Sequence, residues 1–186
     1  LCNLHISINN ISIFFQSIVS WNMTLLDKEP VKRVKETLLN YNDKLKVIEL
    51  KTSAKTANEA ASSLNCEVGA IIKSLLLKSE KSFFMCLVAG DKKCSLNKLK
   101  KITNCKDVRM ANPVDVKQKT GYTIGGVSPV GHKESLKIII DKSLERFEKI
   151  YGAAGHPNCI FEIDFENLIK ITSGVKEDIT EWDNQN

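Results

Sequence analysis

The sequence is short of the residues that define fibrous or linker chains. With 9 Gly and 4 Pro in 186 residues, it excludes collagen-like and Pro-rich architectures. None of its six cysteines forms a CxxC, and no Cys–His pair sits at zinc-finger spacing; a disulfide scaffold and a structural zinc site are both unexpected. Long apolar runs are missing as well. In residues 1–22 the best stretch, Ile11 to Val19, is broken by Ser12, Gln16 and Ser17, whereas a membrane span needs about 20 mostly apolar residues. A secretory signal would need a basic leading segment, yet residues 1–22 contain no Lys, Arg, Asp or Glu at all. The expectation is an uncharged extension over 1–22, outside the fold, ahead of one domain over 23–186. Without a signal peptide, the thiols are expected to be reduced in the cytoplasm.

What is present reads as a globular domain: 42% hydrophobic, 26% charged, 27 Lys+Arg against 22 Asp+Glu for a net charge of +5. A chain of this length can bury roughly 70% of its unfolded surface. Val31, Val34, Leu38 and Tyr41 recur at helical spacing behind Pro30, which suits a first turn. Leu45–Leu50 alternates as a strand, and Thr56 or Ser53 can cap an Ala-rich helix over Ala57–Leu64. Two apolar runs, Ala70–Leu77 and Phe83–Ala89, flank a polar turn at Ser79–Lys81 and predict a buried hairpin. A short basic helix (Ser95–Ile102), a strand near Asp107–Met110 and a helix from Asn112-Pro113 to about Gln118 follow. Beyond a Gly-rich loop at Gly121–Gly131 come strands at Lys137–Ile140, Lys149–Tyr151 and Cys159–Ile163, a helix at Phe165–Lys170 and a closing strand at Val175–Ile179. Hairpins mixed with strand–helix alternation point to one α/β domain around a mixed, largely antiparallel sheet.

Four features could carry chemistry. Lys73 sits inside AIIKSLLL and would share a strand face with Ile71, Leu75 and Leu77. Such a lysine either snorkels to an edge or aims an ammonium into a pocket at an anionic or carbonyl oxygen. The loop from Gly121 to His132 holds four glycines in its first eleven residues, which lets backbone N–H groups approach a ligand closely. It lacks the spacing of a dinucleotide fingerprint or a P-loop. Gly152–Asn158 (GAAGHPN) is a second small-residue loop that is either a pocket wall or a plain turn. His132 and His156 are the plausible titratable bases, and no Ser-His-Asp order or metal-spaced carboxylate–His cluster is present. Finally, Lys92, Lys93, Lys98, Lys100, Lys101 and Lys106 fall together with no acid between residues 92 and 106. Such a run is either a solvated face or a docking surface for a phosphate backbone.

The stretches IIKSLLLK (71–78), LVAGDKK (87–93), GYTIGGVSPVGH (121–132) and IYGAAGHPNCIFEI (150–163), in this order, resemble the YbaK/EbsC family. These are free-standing relatives of the editing domain inserted in bacterial prolyl-tRNA synthetases. The likeness runs from about Val31 to Ile179. It implies a compact α/β domain with a mixed, largely antiparallel pseudo-barrel sheet and surrounding helices. It also implies hydrolysis of mischarged aminoacyl-tRNA to free amino acid and tRNA. By the same likeness Lys73 matches the family's active-site lysine. Gly125, Gly126, Ser128 and Pro129 match the loop that shapes the aminoacyl pocket, and Gly155 falls in the second small-residue loop. Ile160 stands where the Cys-tRNA(Pro)-hydrolysing branch carries an aspartate, and His132 where that branch has glutamine.

An activated ester needs positioning and oxyanion stabilisation more than a strong protein nucleophile. The expected catalytic groups are accordingly Lys73 and the Gly126 amide. Gly125, Ser128, Pro129, His132, Gly155 and His156 are expected to bind substrate, and Lys98, Lys100 and Lys101 the tRNA backbone. Neither metal nor cofactor is expected, nor is a membrane. The expected partners are tRNA and, beyond it, an aminoacyl-tRNA synthetase. The rival readings are a catalytically silent tRNA- or nucleotide-binding module using the same pocket and, more remotely, a thiol-redox protein.

Overall fold

The computed structural model describes residues 24–80 and 82–182; the expectation for residues 1–22 lies outside them. Ten strands are described: β1 (Val47–Glu49), β2 (Ile72–Lys78), β3 (Phe83–Ala89), β4 (Lys92–Cys94), β5 (Arg109–Met110), β6 (Lys137–Asp141), β7 (Ile150–His156), β8 (Cys159–Ile163), β9 (Val175–Glu177) and β10 (Thr180–Trp182). Five α-helices accompany them: α1 (Glu29–Tyr41), α2 (Ala57–Leu64), α3 (Leu96–Thr103), α4 (Pro113–Thr120) and α5 (Phe165–Thr172). The central sheet has the order β5-β2-β3-β6-β9, a second sheet runs β1-β8-β7, and β10 pairs with β4. Five of these seven pairings are antiparallel, with β3–β6 and β6–β9 parallel. This is the mixed, largely antiparallel α/β domain that the sequence implies.

The expected hairpin forms in full, from Ile72↔Ala89 to Lys78↔Phe83. Because successive strand residues point to opposite faces, its apolar runs feed two cores. Ile72, Leu76, Met85, Leu87 and Ala89 join Val31, Val34 and Leu38 of α1 and Phe161 and Ile163 of β8. Leu77, Phe84, Cys86 and Val88 join Leu99, Val108 and Ile179 on the other side. A sheet covered on both faces reads as continuous hydrophobic sequence rather than alternation. Helix α2 begins with a reciprocal capping box, since Thr56 Oγ1 accepts from Glu59 N–H while Glu59 accepts from Thr56 N–H.

Two elements depart from expectation. Strand β7 runs through residues 152–156, read from sequence as a loop because Gly and Ala are poor strand formers. Their smallness is what the packing requires: a Cβ on Gly155 would lie 2.6 Å from the Pro30 carbonyl oxygen, and one on Gly152 would lie 3.0 Å from the Phe161 ring. The β4–β10 pair carries no signal in the triplets KKC and TEW, which are too short to show a period. Its organiser is Asp141, fully buried, which accepts from Ser143 N–H, Ile179 N–H and Thr180 Oγ1–H at 2.8–3.0 Å.

Candidate active site

Strand β2 pairs with β3 along its whole length but with β5 only at Leu77 and Lys78. Ala111 N–H takes the Leu76 carbonyl, and a single bridge joins Ile71 to Tyr151. Between these two closures the β2 edge faces a cavity of about 380 Å³, within the size range of small-molecule sites. One wall is β2 with Lys73 and Ser74; the others come from α2 and its leading turn, the loop at Gly125, and Ala153, His156 and Ile160 of β7–β8. Much of the lining is small: Ala54, Ala57, Ala60, Ala111 and Ala153. Ser74, which the sequence reading passed over, places a buried hydroxyl there with no hydrogen-bond partner among the described residues.

Lys73 shares its strand face with Leu75 and Leu77, as alternation requires, and lines the cavity. Its ammonium donates to the Lys92 carbonyl at the start of β4, so in this conformation it points toward β4 and not toward the glycine loop. Its charge also reaches Cys94, whose thiol is held below the usual range, first by a hydrogen bond from Cys86 and further by Lys73. The Cys86 thiol is pushed up by the same bond and by burial. Cys86 and Cys94 thus meet in space although they lie eight positions apart in sequence.

In the glycine loop the structure separates residues that the sequence had grouped. Gly125, at φ +89°, lines the cavity beside Lys55. Gly126 does not: its N–H donates to the Thr123 carbonyl at 2.9 Å, so the amide expected as an oxyanion donor closes a turn instead. A Cβ at Gly126 would lie 3.0 Å from the His156 backbone, which is why the two small-residue segments can touch. Ser128, Pro129 and His132, expected to contact substrate, brace the loop from behind. The His132 Nε2–H donates to the Ser128 carbonyl at 2.8 Å, and Ser128 Oγ accepts from Val130 N–H. Pro129 backs onto Gly152. Burial pulls the His132 pKa down and pushes that of Tyr122 up to about 12. The Tyr122 hydroxyl donates toward the Val130 and Gly131 carbonyls, and the Arg33 guanidinium lies 4.8 Å from its ring. A loop this rich in turns must satisfy its own backbone groups, and these side chains do so.

Gly155 is buried against α1 and does not line the cavity; His156 does. The His156 Nδ1 accepts from Asn158 N–H at 3.1 Å, and Nε2 lies 3.4 Å from Lys28 Nζ. Burial, then the charge of Lys28, lowers its pKa.

The basic stretch is also divided. Lys98 donates to Asp178 at 2.7 Å and to the Thr180 carbonyl at 2.6 Å, clasping α3 to the β9–β10 segment, so its charge is already engaged within the fold. Lys92 is buried, Lys100 half-buried and Lys101 exposed. Among the described residues, no group of three or more His, Cys, Asp or Glu is placed to hold a metal ion, and no helix is long and apolar enough to cross a membrane.

Comparison with known proteins places this geometry. The profile of the aminoacyl-tRNA editing domain family matches residues 51–171. The uncharacterised protein YwhH of Bacillus subtilis (strain 168) is 32% identical over 139 residues, covering 74% of this chain and 88% of YwhH. A protein of Enterococcus faecalis (strain ATCC 700802 / V583) named "Putative Cys-tRNA(Pro)/Cys-tRNA(Cys) deacylase EbsC" is 29% identical over 126 residues, covering 67% of this chain and 77% of that one. A crystal structure of "a putative trans-editing enzyme for prolyl tRNA synthetase" superimposes with a TM-score of 0.78 at 34% identity, covering 83% of this chain and 98% of that one.

Proposed function

The chain belongs to the aminoacyl-tRNA editing domain family, and from that we propose that it hydrolyses mischarged aminoacyl-tRNA in trans. The observation that carries this reading is the cavity on the β2 edge, with Lys73 and Ser74 on one wall and alanines on the others. Water attacks the ester carbonyl carbon, and the bond to the ribose oxygen breaks. That oxygen takes a proton, leaving free amino acid and intact tRNA. Lys73 leaves the Lys92 carbonyl, by a side-chain rotation, to stabilise negative charge on the carbonyl oxygen; the exchange costs little when one acceptor replaces another. Ser74, with its unmet hydroxyl, orients the aminoacyl group. Ala57, Ala60 and Ala153 set the room for its side chain, which makes the cavity a sieve for small residues at roughly 1–3 kcal/mol per methylene. Ile160 puts an apolar group where the cysteine-specific branch has a carboxylate, so the side-chain preference is read from this wall and not carried over from EbsC. The synthetase partner, by the likeness to the prolyl-tRNA synthetase trans-editing structure, is one that mischarges tRNA.

A second reading draws on the engaged Lys73 ammonium and Gly126 amide: a silent module that holds the tRNA end without cleaving it. One panel separates the two. Ala-, Ser-, Thr- and Cys-charged tRNAs are incubated with wild-type protein, and released amino acid is measured. Release from at least one is expected; tRNA binding without release from any supports the silent module.

A further inference from the structure

We propose that Lys28 and His156 form a two-donor seat for a phosphate oxygen of the tRNA acceptor end, at the rim of the cavity. The argument starts from proton placement. The turn Pro157-Asn158 brings the Asn158 N–H onto His156 Nδ1 at 3.1 Å. A backbone N–H and an ammonium can each only donate, while a neutral ring has one bare nitrogen; the shorter contact, from Asn158, assigns it to Nδ1 and places the ring hydrogen on Nε2. That Nε2–H faces Lys28 Nζ at 3.4 Å, and an ammonium has donors alone. In that tautomer no hydrogen bond joins the two, and among the described residues neither has another acceptor at that point. Two donors held face to face are mutually unfavourable until an acceptor oxygen approaches both. An oxygen at about 2.8 Å from each nitrogen, the usual charge-assisted distance, fits a base of 3.4 Å.

The surroundings favour an anion. Lys28 is the N-cap of the 13-residue helix α1, whose amino end is partially positive, and Gly155 seats β7 directly on Pro30 of its first turn. The charged groups facing His156 are Lys28 and Glu49, the latter opposite Cys159 in the β1–β8 pairing. Lys28 and burial outweigh Glu49, which keeps the ring an uncharged N–H donor. Lys28 is exposed and His156 half-buried, so the seat lies at the rim. A phosphate of the substrate reaches such a rim while its ester carbonyl lies deeper.

The identity of the phosphate rests on the deacylase reading, but its test does not require turnover. Adenosine 5′-monophosphate and adenosine are titrated against the full chain by calorimetry, with Lys28→Met, Lys28→Arg and His156→Phe alongside. Wild type is expected to prefer the monophosphate by about tenfold. Lys28→Met and His156→Phe lose that preference, and Lys28→Arg retains most of it. Equal affinities in wild type, or an undiminished preference in Lys28→Met, would overturn the seat. A fall in kcat with monophosphate affinity unchanged would overturn it too, by assigning the pair to the ester carbonyl. Nitrogen-15 spectra of the imidazole give an independent check: hydrogen on Nε2 is expected, and hydrogen on Nδ1 contradicts the proposal.

Discussion

The basic stretch over residues 92–106 and the cavity use their lysines differently. Over residues 92–106 positive charge is dense in sequence and only partly engaged within the fold, with Lys93, Lys101 and Lys106 exposed. Lys98 is held by Asp178 and the Thr180 carbonyl, Lys142 also reaches Asp178, and Lys92 is buried. At the cavity, positive charge is sparse in sequence, with Lys55 and Lys73 in the lining and Lys28 beside His156, on three different elements. A cation already paired inside the fold releases few counterions to a nucleic acid. What a lysine faces therefore says more about function than how many lysines adjoin it.

That contrast can be broken most forcefully at Lys73. Lys73→Ala should lower deacylation by about 10²–10³-fold while leaving the urea midpoint unchanged; equal turnover would remove Lys73 from the chemistry. The opposite pattern is expected across the sheet. Asp141→Ala leaves three donors in a buried site without their acceptor and should cost about 3 kcal/mol of stability, read by urea unfolding, with turnover preserved at low temperature. Loss of turnover in protein that is still folded would show that the two regions are coupled.

A smaller effect is expected from pH. The depressed pKa of His132 favours its neutral form in the folded state, with Arg33 the charged group that opposes its protonation. Relative to an unfolded pKa of about 6.5, the folded protein binds fewer protons in this window. The contribution is therefore fully present above about 6.5 and is lost as pH falls through the lower folded value. The urea midpoint should decline between about pH 6.5 and the lower folded value in wild type, and decline less in His132→Gln. The smallest change is at Lys98: Lys98→Ala removes a half-exposed ion pair worth about 0.5 kcal/mol and should leave tRNA affinity within about twofold, whereas Lys101→Ala should weaken it more. The reverse order would restore Lys98 as a tRNA contact.

How much of this was legible in the sequence follows from how far each signal reaches along the chain. The 72–89 hairpin and α1 announce themselves because apolar period and polar turn are local properties. Lys73 and the glycine loop stood out as chemistry in an unlikely setting, an ammonium in an apolar run and four glycines in eleven residues. Their grouping into one pocket needed a resemblance, and the structure then divided it: Gly125 faces the cavity, while Ser128, Pro129 and His132 brace the loop. Ser74 gave no signal, since an isolated serine in a strand is unremarked until its neighbours leave its hydroxyl unmet. Lys28 was hidden for a similar reason. Only the packing of Gly155 on Pro30 brings it across more than a hundred residues to His156. The β4–β10 pair was illegible because its strength lies in Asp141, which no property of those strands reports.

The central claim, that the alanine-lined cavity on the β2 edge performs ester hydrolysis, is tested most directly by counting turnovers. With the full panel of small-residue mischarged tRNAs in hundredfold excess over protein, many amino acids released per protein molecule are predicted for at least one of them. Stoichiometric binding with no release above the uncatalysed rate would contradict the account.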